Sequence, residues 1–503
     1  MTLYKKFLEK FSYIQLLRQV EKLLHWDQNT YMPSGAVEIR AKQLAYIAGL
    51  AHAEATSSAY REALEQMVDI NTGKLRVEEE GLTLIEKANL KEWTKDFRRM
   101  IKLPQSFVKT YYTVTTTATE VWKQARQLSN FALFSPWLQK VVELNREQAS
   151  LLGYVESPYD ALIDLYEPGV TASVLSTLFS DLTGFLSAIV KKTNGKGSPY
   201  RAYFNHAFVQ EDQMKFNYLL LETMGIGNEN SRLDGSAHPF CTGIHPSDVR
   251  LTTNFDNGLL ENIFAVLHEG GHALYELGLP KEEWATPAGQ SASMGLHESQ
   301  SRWWEVMVGK SLPFWNYMYP KFQEAFPQLK SLSLSNFYQH INHIQSSYIR
   351  IYADEVTYPL HIILRFELEK QLIEGTITIS DVPNIWNTTM EAYLGIIPRN
   401  DAEGCLQDIH WASGSFGYFP TYALGNIYAA QYFSTFEQSF PDWESKVAAG
   451  SFTFMNNWLW EHIHRFGRMY NAEQSIKRVT GHSISTQFYK DYITKKYIDL
   501  INQ

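Results

Sequence analysis

The chain has 503 residues, 45% hydrophobic and 20% charged, with 45 Lys and Arg against 54 Asp and Glu for a net charge of −9. A chain of this size and apolar content buries a large core, which excludes a disordered polypeptide and a cysteine-stapled miniature scaffold. The acidic balance, with no long run of either sign, argues against a nucleic-acid or anionic-membrane binder, both of which need a basic face.

Charges enter the N-terminal stretch from Lys5 onward, so it lacks the uninterrupted apolar core and small-residue cleavage site of a secretory leader, and the expected location is cytoplasmic. Cys241 and Cys405 make neither a disulfide framework nor a CxxC pair, which suits a reducing compartment. Helical periodicity fills 4–24, 37–50, 77–103, 111–128 and 337–373. In the helix expected after Thr171, its N-cap, residues Val174, Leu175, Leu178, Phe179, Leu182, Phe185 and Leu186 recur on one face, and Asn194-Gly195 supplies the stop. The fold is therefore expected to be mainly α. The clearest strand is 248–255, where Asp248, Arg250 and Thr252 alternate with Val249 and Leu251 before an Asp-Asn-Gly turn, and a small β-sheet beside the active-site helix is expected. Loops such as 192–199 and 228–239 are short, and no repeat or Pro/Ser-rich linker divides the chain. The expectation is one body over 1–503, with room for two lobes.

The stretch 409–436 carries no Asp, Glu, Lys or Arg, yet Gly414, Gly417, Pro420, Asn426 and Gln431 interrupt it. A membrane span wants about 20 predominantly apolar residues, so this segment reads instead as a buried, aromatic-rich part of a soluble protein.

Chemistry concentrates in 261–279, which contains His268-Glu269-Gly270-Gly271-His272. A helix advances about 100° per residue, so the two histidines differ by about 40° and stack roughly 6 Å apart on one face, where both can grip one ion. Glu269 lies beside them without occupying a ligand position, as a general base would. Two core histidines with a chance glutamate is the bland alternative. Against it stand the apolar opposite face, with Ile263, Phe264, Leu267, Leu274 and Leu277, and two glycines that each cost a helix about 1 kcal/mol unless something must approach closely. A catalytic zinc keeps three protein ligands. Downstream, 293–305 offers a second helix whose Glu298 is the expected third ligand, with His297 and Glu305 as rivals.

HEGGH followed by HESQ resembles the carboxypeptidase Taq family of zinc metallocarboxypeptidases. Its further motifs stand here as His238-Pro239-Phe240, Asp248-Val-Arg250-Leu-Thr252, Ile349-Arg350-Ile-Tyr-Ala353-Asp354 and Gly404-Cys-Leu-Gln407-Asp408-Ile-His410-Trp411. The resemblance spans nearly the whole chain. It implies a single helical catalytic domain with a deep substrate groove, one divalent metal, usually a homodimer, and release of single amino acids from peptide C-termini.

The residues suggest how such a reaction would run. A zinc ion would bring the pKa of a coordinated water towards about 7, and Glu269 would take its proton and later pass it to the leaving amine. Tyr418, Tyr422 and His410 are candidates to stabilise the oxyanion. For the terminal carboxylate an arginine fork fits best, with Arg350 the first choice and Arg250 the second. The structural alternative for Arg350 is a helical pair with Asp354, worth about 0.3–0.5 kcal/mol. His238 is a candidate groove donor, Gln407 and Asp408 are candidates to orient His410, and His25, His343, His462 and His464 read as ordinary packing. Two histidines and a glutamate suit zinc, while cobalt or manganese would accept similar ligands. The expected partners are peptide substrates, with neither nucleic acid nor membrane among them. The rival functions are an endo-acting zinc oligopeptidase and a non-catalytic helical peptide-binding scaffold.

Overall fold

The computed structural model describes residues 1–193 and 197–501. The expected periodic segments are helices, with boundaries moved by local chemistry. The 4–24 pattern is two helices, Leu3–Phe11 and Tyr13–Thr30, meeting at Ser12. The 37–50 and 111–128 patterns lie inside the longer helices Val37–Ala55 and Gln105–Gln127. The 77–103 pattern starts late, as the helix Leu84–Ile101, because Thr83 and Glu86 form a reciprocal capping box: Thr83 Oγ1 accepts from Glu86 N at 3.2 Å and Glu86 Oε2 from Thr83 N at 2.8 Å. In the helix Ala172–Val190, Thr171 caps Val174 N as expected and Leu175, Phe179, Leu182 and Leu186 are buried, although Val174 is exposed. The Asn194-Gly195 stop lies outside the described residues.

The largest correction concerns 337–373. It is not one helix but two, Leu334–Ile341 and Tyr358–Glu374, separated by a loop with a short 3-10 turn at Arg350–Tyr352. Pro359 can occupy only the first turn of a helix, and Asp354 Oδ1 accepts from Val356 N and Thr357 N at 2.9 and 3.1 Å, so the chain turns there and restarts.

Three strands, β1 (Ser231–Gly235), β2 (Cys241–His245) and β3 (Asp248–Thr253), form a sheet in the order β1-β3-β2, with β3 parallel to β1 and antiparallel to β2. Val249 and Leu251 of β3 are fully buried. Asn254 Oδ1 then accepts from Asp256 N and Asn257 N, making the turn that launches the helix Leu259–Gly278. The sheet thus lies directly against the helix that carries both site histidines.

The uncharged stretch 409–436 folds as a loop followed by the helix Pro420–Ser439, most of whose side chains are buried in the main apolar core. A second apolar cluster, including Phe7, Phe11, Tyr60, Leu90 and Phe97, joins the N-terminal helices.

Candidate active site

His268 and His272 sit one turn apart, their ring centroids separated by 4.9 Å. Glu298 reaches them from the helix Met294–Arg302, its Oε2 3.5 Å from Nε2 of each histidine. Two ligands held about 2.1 Å from one ion at tetrahedral corners lie about 3.4 Å apart, so the spacing and the donor set fit a single divalent cation. The donor atoms of all three residues fall within 4.8 Å of one another.

Close backbone approach makes this meeting possible. A Cβ on Gly271 would lie 2.6 Å from Ser301 Cα and against the Gln300 carbonyl, so only glycine lets the two helices touch there, while Gly270 makes room for the Met224 side chain. On the other side, a Cβ on Gly425 would stand 2.7 Å from Glu298 Cβ, so the helix Pro420–Ser439 closes over the glutamate. The start of the Glu298 helix is fixed as well: Ser293 Oγ accepts from Leu296 N, and buried Glu167 accepts from Ser293 Oγ at 2.9 Å and Gly295 N at 2.8 Å.

The two rivals for the third ligand have other partners. The helix widens into a π-turn at Trp303–Val308, and Glu305 within it reaches His268 Nδ1 at 2.8 Å. His297 faces Nδ1 of His272 at 2.5 Å and Glu276 at 2.7 Å. Arg302 donates to Glu298 Oε1 at 2.8 Å and Glu305 Oε2 at 3.1 Å, bracing both carboxylates.

The cluster shifts its two imidazoles in opposite directions. Burial lowers the His268 imidazole, but Glu298 and Glu305 override it and raise it to about 9. Burial and the facing His297 lower His272 to about 3, leaving it neutral with a lone pair to offer. Burial raises the Glu269 carboxyl to about 7, with Glu298 and Glu305 adding to the effect and His268 opposing it. An acid near neutrality is suited to proton transfer at ordinary pH.

A second polar group adjoins the first. The Arg302 guanidinium lies 4.5 Å over the Tyr358 ring, and the Tyr358 hydroxyl accepts from Arg350 Nη1 at 3.0 Å. Arg350 is buried and is not paired with Asp354. Its Nε and Nη2 donate to Asp408 Oδ1 at 3.1 and 2.9 Å, while Arg365 Nε donates to Asp408 Oδ2 at 2.7 Å. Two guanidinium groups against one carboxylate leave one positive charge in excess. Arg350 also lies 5.1 Å over the Tyr422 ring, Tyr422 pairs with His410 Nε2 at 3.2 Å, and Tyr418 packs edge-on against Tyr422. Burial and the Glu298 charge push the Tyr418 hydroxyl up to about 12.

Gln407 and Asp408 do not bond the His410 ring: Gln407 Oε1 accepts from Arg350 N and its amide donates to the carbonyls of Tyr348, Glu403 and Gly404. Arg250 is occupied elsewhere, forked onto Asp248 at 2.9 and 3.0 Å and stacked 4.2 Å over Trp26. His238 is an exposed loop residue whose carbonyl accepts from Ser236 Oγ. Among the described residues, neither Arg250 nor His238 hydrogen-bonds or ion-pairs with the cluster. Sequence reasoning passed over Glu276, Arg302 and Tyr358. The first two carried a usable signal, since each lies one helical turn beyond a member of the cluster, His272 and Glu298.

The family model described as carboxypeptidase Taq (M32) metallopeptidase matches residues 6–497. The chain is 36% identical over 502 residues to carboxypeptidase 1 of Bacillus subtilis, covering 99% of each chain. It is 37% identical over 514 residues to thermostable carboxypeptidase 1 of Thermus thermophilus, covering 99% of this chain and 98% of that one. Its structure superimposes on a carboxypeptidase of Pyrococcus furiosus with a TM-score of 0.94 at 33% identity, covering 99% of each chain.

Proposed function

The chain belongs to the carboxypeptidase Taq (M32) family of metallopeptidases, and from that premise we propose that it releases amino acids singly from peptide C-termini with broad side-chain tolerance. It is a metallocarboxypeptidase, a peptide hydrolase that depends on a divalent metal. One observation carries the finer reading. A near-neutral carboxyl, Glu269, adjoins a three-donor cluster that is joined through Arg302 and Tyr358 to a buried guanidinium with surplus positive charge.

In this reading His268, His272 and Glu298 hold the cation, and the donor set favours zinc. When bound, the cation supplies Lewis-acid polarisation of the scissile carbonyl and acidifies water. Glu269 accepts a proton from the attacking water and delivers it to the leaving amine. Arg350, held rigid by Asp408 and Tyr358, receives the terminal carboxylate, for which the net charge of the Arg350–Asp408–Arg365 group is complementary. Tyr418 and Tyr422 keep their protons, and at least one of them donates to the oxygen that gains charge.

An acidic protein thereby receives an anionic terminus through a local excess of positive charge. A cytoplasmic location is proposed, a reducing compartment in which Cys241 and Cys405 would stay free thiols. A homodimer is proposed as well, because Leu16, Val20, Leu23, Ile39 and Tyr46 of the helices Tyr13–Thr30 and Val37–Ala55 are exposed and offer apolar surface for self-association; sedimentation of the wild type against Leu16→Asp tests it. The catalytic assignment is tested by Glu269→Gln. It should keep one zinc per chain while kcat falls by about 10²–10⁴-fold with little change in KM. Full activity in that variant would remove Glu269 from the role of base.

A further inference from the structure

An imidazole that ligates through Nε2 must present a lone pair there, so in its neutral form the ring proton sits on Nδ1. For His268 the partner of that proton is a carboxylate, Glu305 Oε2 at 2.8 Å. For His272 it is a second imidazole: Nδ1 of His297 lies 2.5 Å away. Two ring nitrogens in contact need one donor and one acceptor. His272, its lone pair committed at Nε2, donates. His297 therefore accepts at Nδ1 and carries its own proton on Nε2, which faces Glu276 Oε1 at 2.7 Å. With Glu276 ionised and both rings neutral, a single arrangement of protons satisfies both contacts. We infer that Glu276 and His297 are positioning residues that act in series to fix His272 in the tautomer and orientation required for ligation, an inference that rests on the ligand set proposed above.

The fold supports such a role. Glu276 lies one turn beyond His272 on the same helix, so its carboxylate rises on the same face. Gly243 of β2 gives it room, since a Cβ there would lie 2.5 Å from Glu276 Cδ, and Lys22 of the helix Tyr13–Thr30 holds that strand by donating to the Gly243 carbonyl at 2.7 Å. The close approach at Gly271 brings the Glu298 helix near enough for His297 to meet His272. Both ring nitrogens of His297 are engaged, so it has no lone pair left for the cation, which separates it chemically from the adjacent Glu298. The two ligand histidines are consequently held in different ways, His268 by a carboxylate that Arg302 also braces and His272 through an intervening ring.

The test is the dissociation constant of zinc, measured by chelator competition on protein whose folding is verified by circular dichroism. His297→Phe removes the acceptor for His272, and Glu276→Leu removes the acceptor for His297. Each should weaken zinc about 10–100-fold. Because the two act in series, the double variant should be no weaker than His297→Phe alone. His297→Gln, whose side-chain oxygen can accept from His272, should stay within about threefold of wild type, as outer-shell geometry is then retained. Unchanged affinity in His297→Phe, or additive losses in the double variant, would overturn the inference. His272→Ala distinguishes the two layers of argument. If it retains wild-type affinity, the ligand set itself fails; if it loses zinc while His297→Phe does not, only the relay fails. Histidine-selective 15N spectra of the wild type need no variant to fold: a proton on Nε2 of His297 supports the relay, and a proton on its Nδ1 refutes it.

Discussion

Gly271→Ala sets two effects of known size against each other. By helix propensity alone, alanine should stabilise the helix Leu259–Gly278 by about 1 kcal/mol. The added methyl, however, would lie 2.6 Å from Ser301 Cα and 2.8 Å from the Gln300 carbonyl carbon. Ordinary carbon contacts are about 3.5–4.0 Å, so the helices must part by roughly 1 Å. Overpacking of this kind costs about 1–3 kcal/mol and outweighs the propensity gain. The functional consequence is larger. The two 3.5 Å separations between Glu298 and the histidines would open to roughly 4.5 Å, well past the about 3.4 Å of two ligands at tetrahedral corners. Zinc affinity should therefore fall by about 10–100-fold. Gly184→Ala is the control: it lies within the helix Ala172–Val190 with nothing inside 4 Å of a new Cβ, and should stabilise by up to about 1 kcal/mol without touching zinc. Urea denaturation and chelator competition on both variants decide the matter. If Gly271→Ala gains stability as Gly184→Ala does and binds zinc like the wild type, the close-approach reasoning is wrong.

Arg350→Met should raise KM for peptides with a free terminus by about 10–100-fold and collapse the preference for free over amidated peptides, as expected when a charge-assisted pair is lost; an unchanged ratio would exclude Arg350 from terminal recognition. Tyr422→Phe and Tyr418→Phe should each lower kcat with KM little changed, by up to about 10²–10³-fold for whichever hydroxyl faces the oxyanion, and wild-type kcat in both would remove the pair from the mechanism. Glu167 governs part of the pH dependence of stability. Burial raises its carboxyl to about 7, against the opposing hydrogen bonds from Gly295, Ser293 and Tyr428. A folded-state pKa above the unfolded value of about 4.5 means that its contribution is full below pH 4.5 and is lost as pH rises through 7, about 3 kcal/mol in all. Glu167→Gln should flatten that part of the stability profile, since its amide oxygen can accept from Gly295 N while the Ser293 and Tyr428 hydroxyls turn to accept from its nitrogen; an unaltered slope between pH 5 and 8 would place the titration elsewhere.

Much of the site was legible because it is local. The spacing of His268 and His272 follows from helical period alone, and the two glycines between them announced close neighbours, the Met224 side chain at Gly270 and the backbone of Gln300 and Ser301 at Gly271. Glu298 could be found because its helix carries few acidic competitors. Arg302 and Tyr358 were not legible as partners, because their contact joins segments from separate helices and depends on the break at 342–357. That break is also why Arg350 pairs with Asp408 and not Asp354. Pro359 and the capping behaviour of Asp354 were available signals for it, but the apolar periodicity on either side concealed them. The role of Glu305 could not be read from an α-helical wheel, since the π-turn Trp303–Val308 alters the direction in which its side chain leaves the helix. At the other end of the scale, the small sheet was legible from alternation, yet Arg250 on its outer face is held by Trp26, more than two hundred residues away in the chain.

The buried Arg350 guanidinium beside the His268–His272–Glu298 cluster is proposed to make this enzyme read the free end of a peptide. The most direct test is to incubate the zinc-loaded enzyme with one peptide in free-acid and C-terminally amidated forms and to identify the products over time by mass spectrometry. The expected result is stepwise loss of single residues from the free-acid peptide and little or no cleavage of the amide. Equal cleavage of the two forms, or release of dipeptides or internal fragments from either, would contradict it.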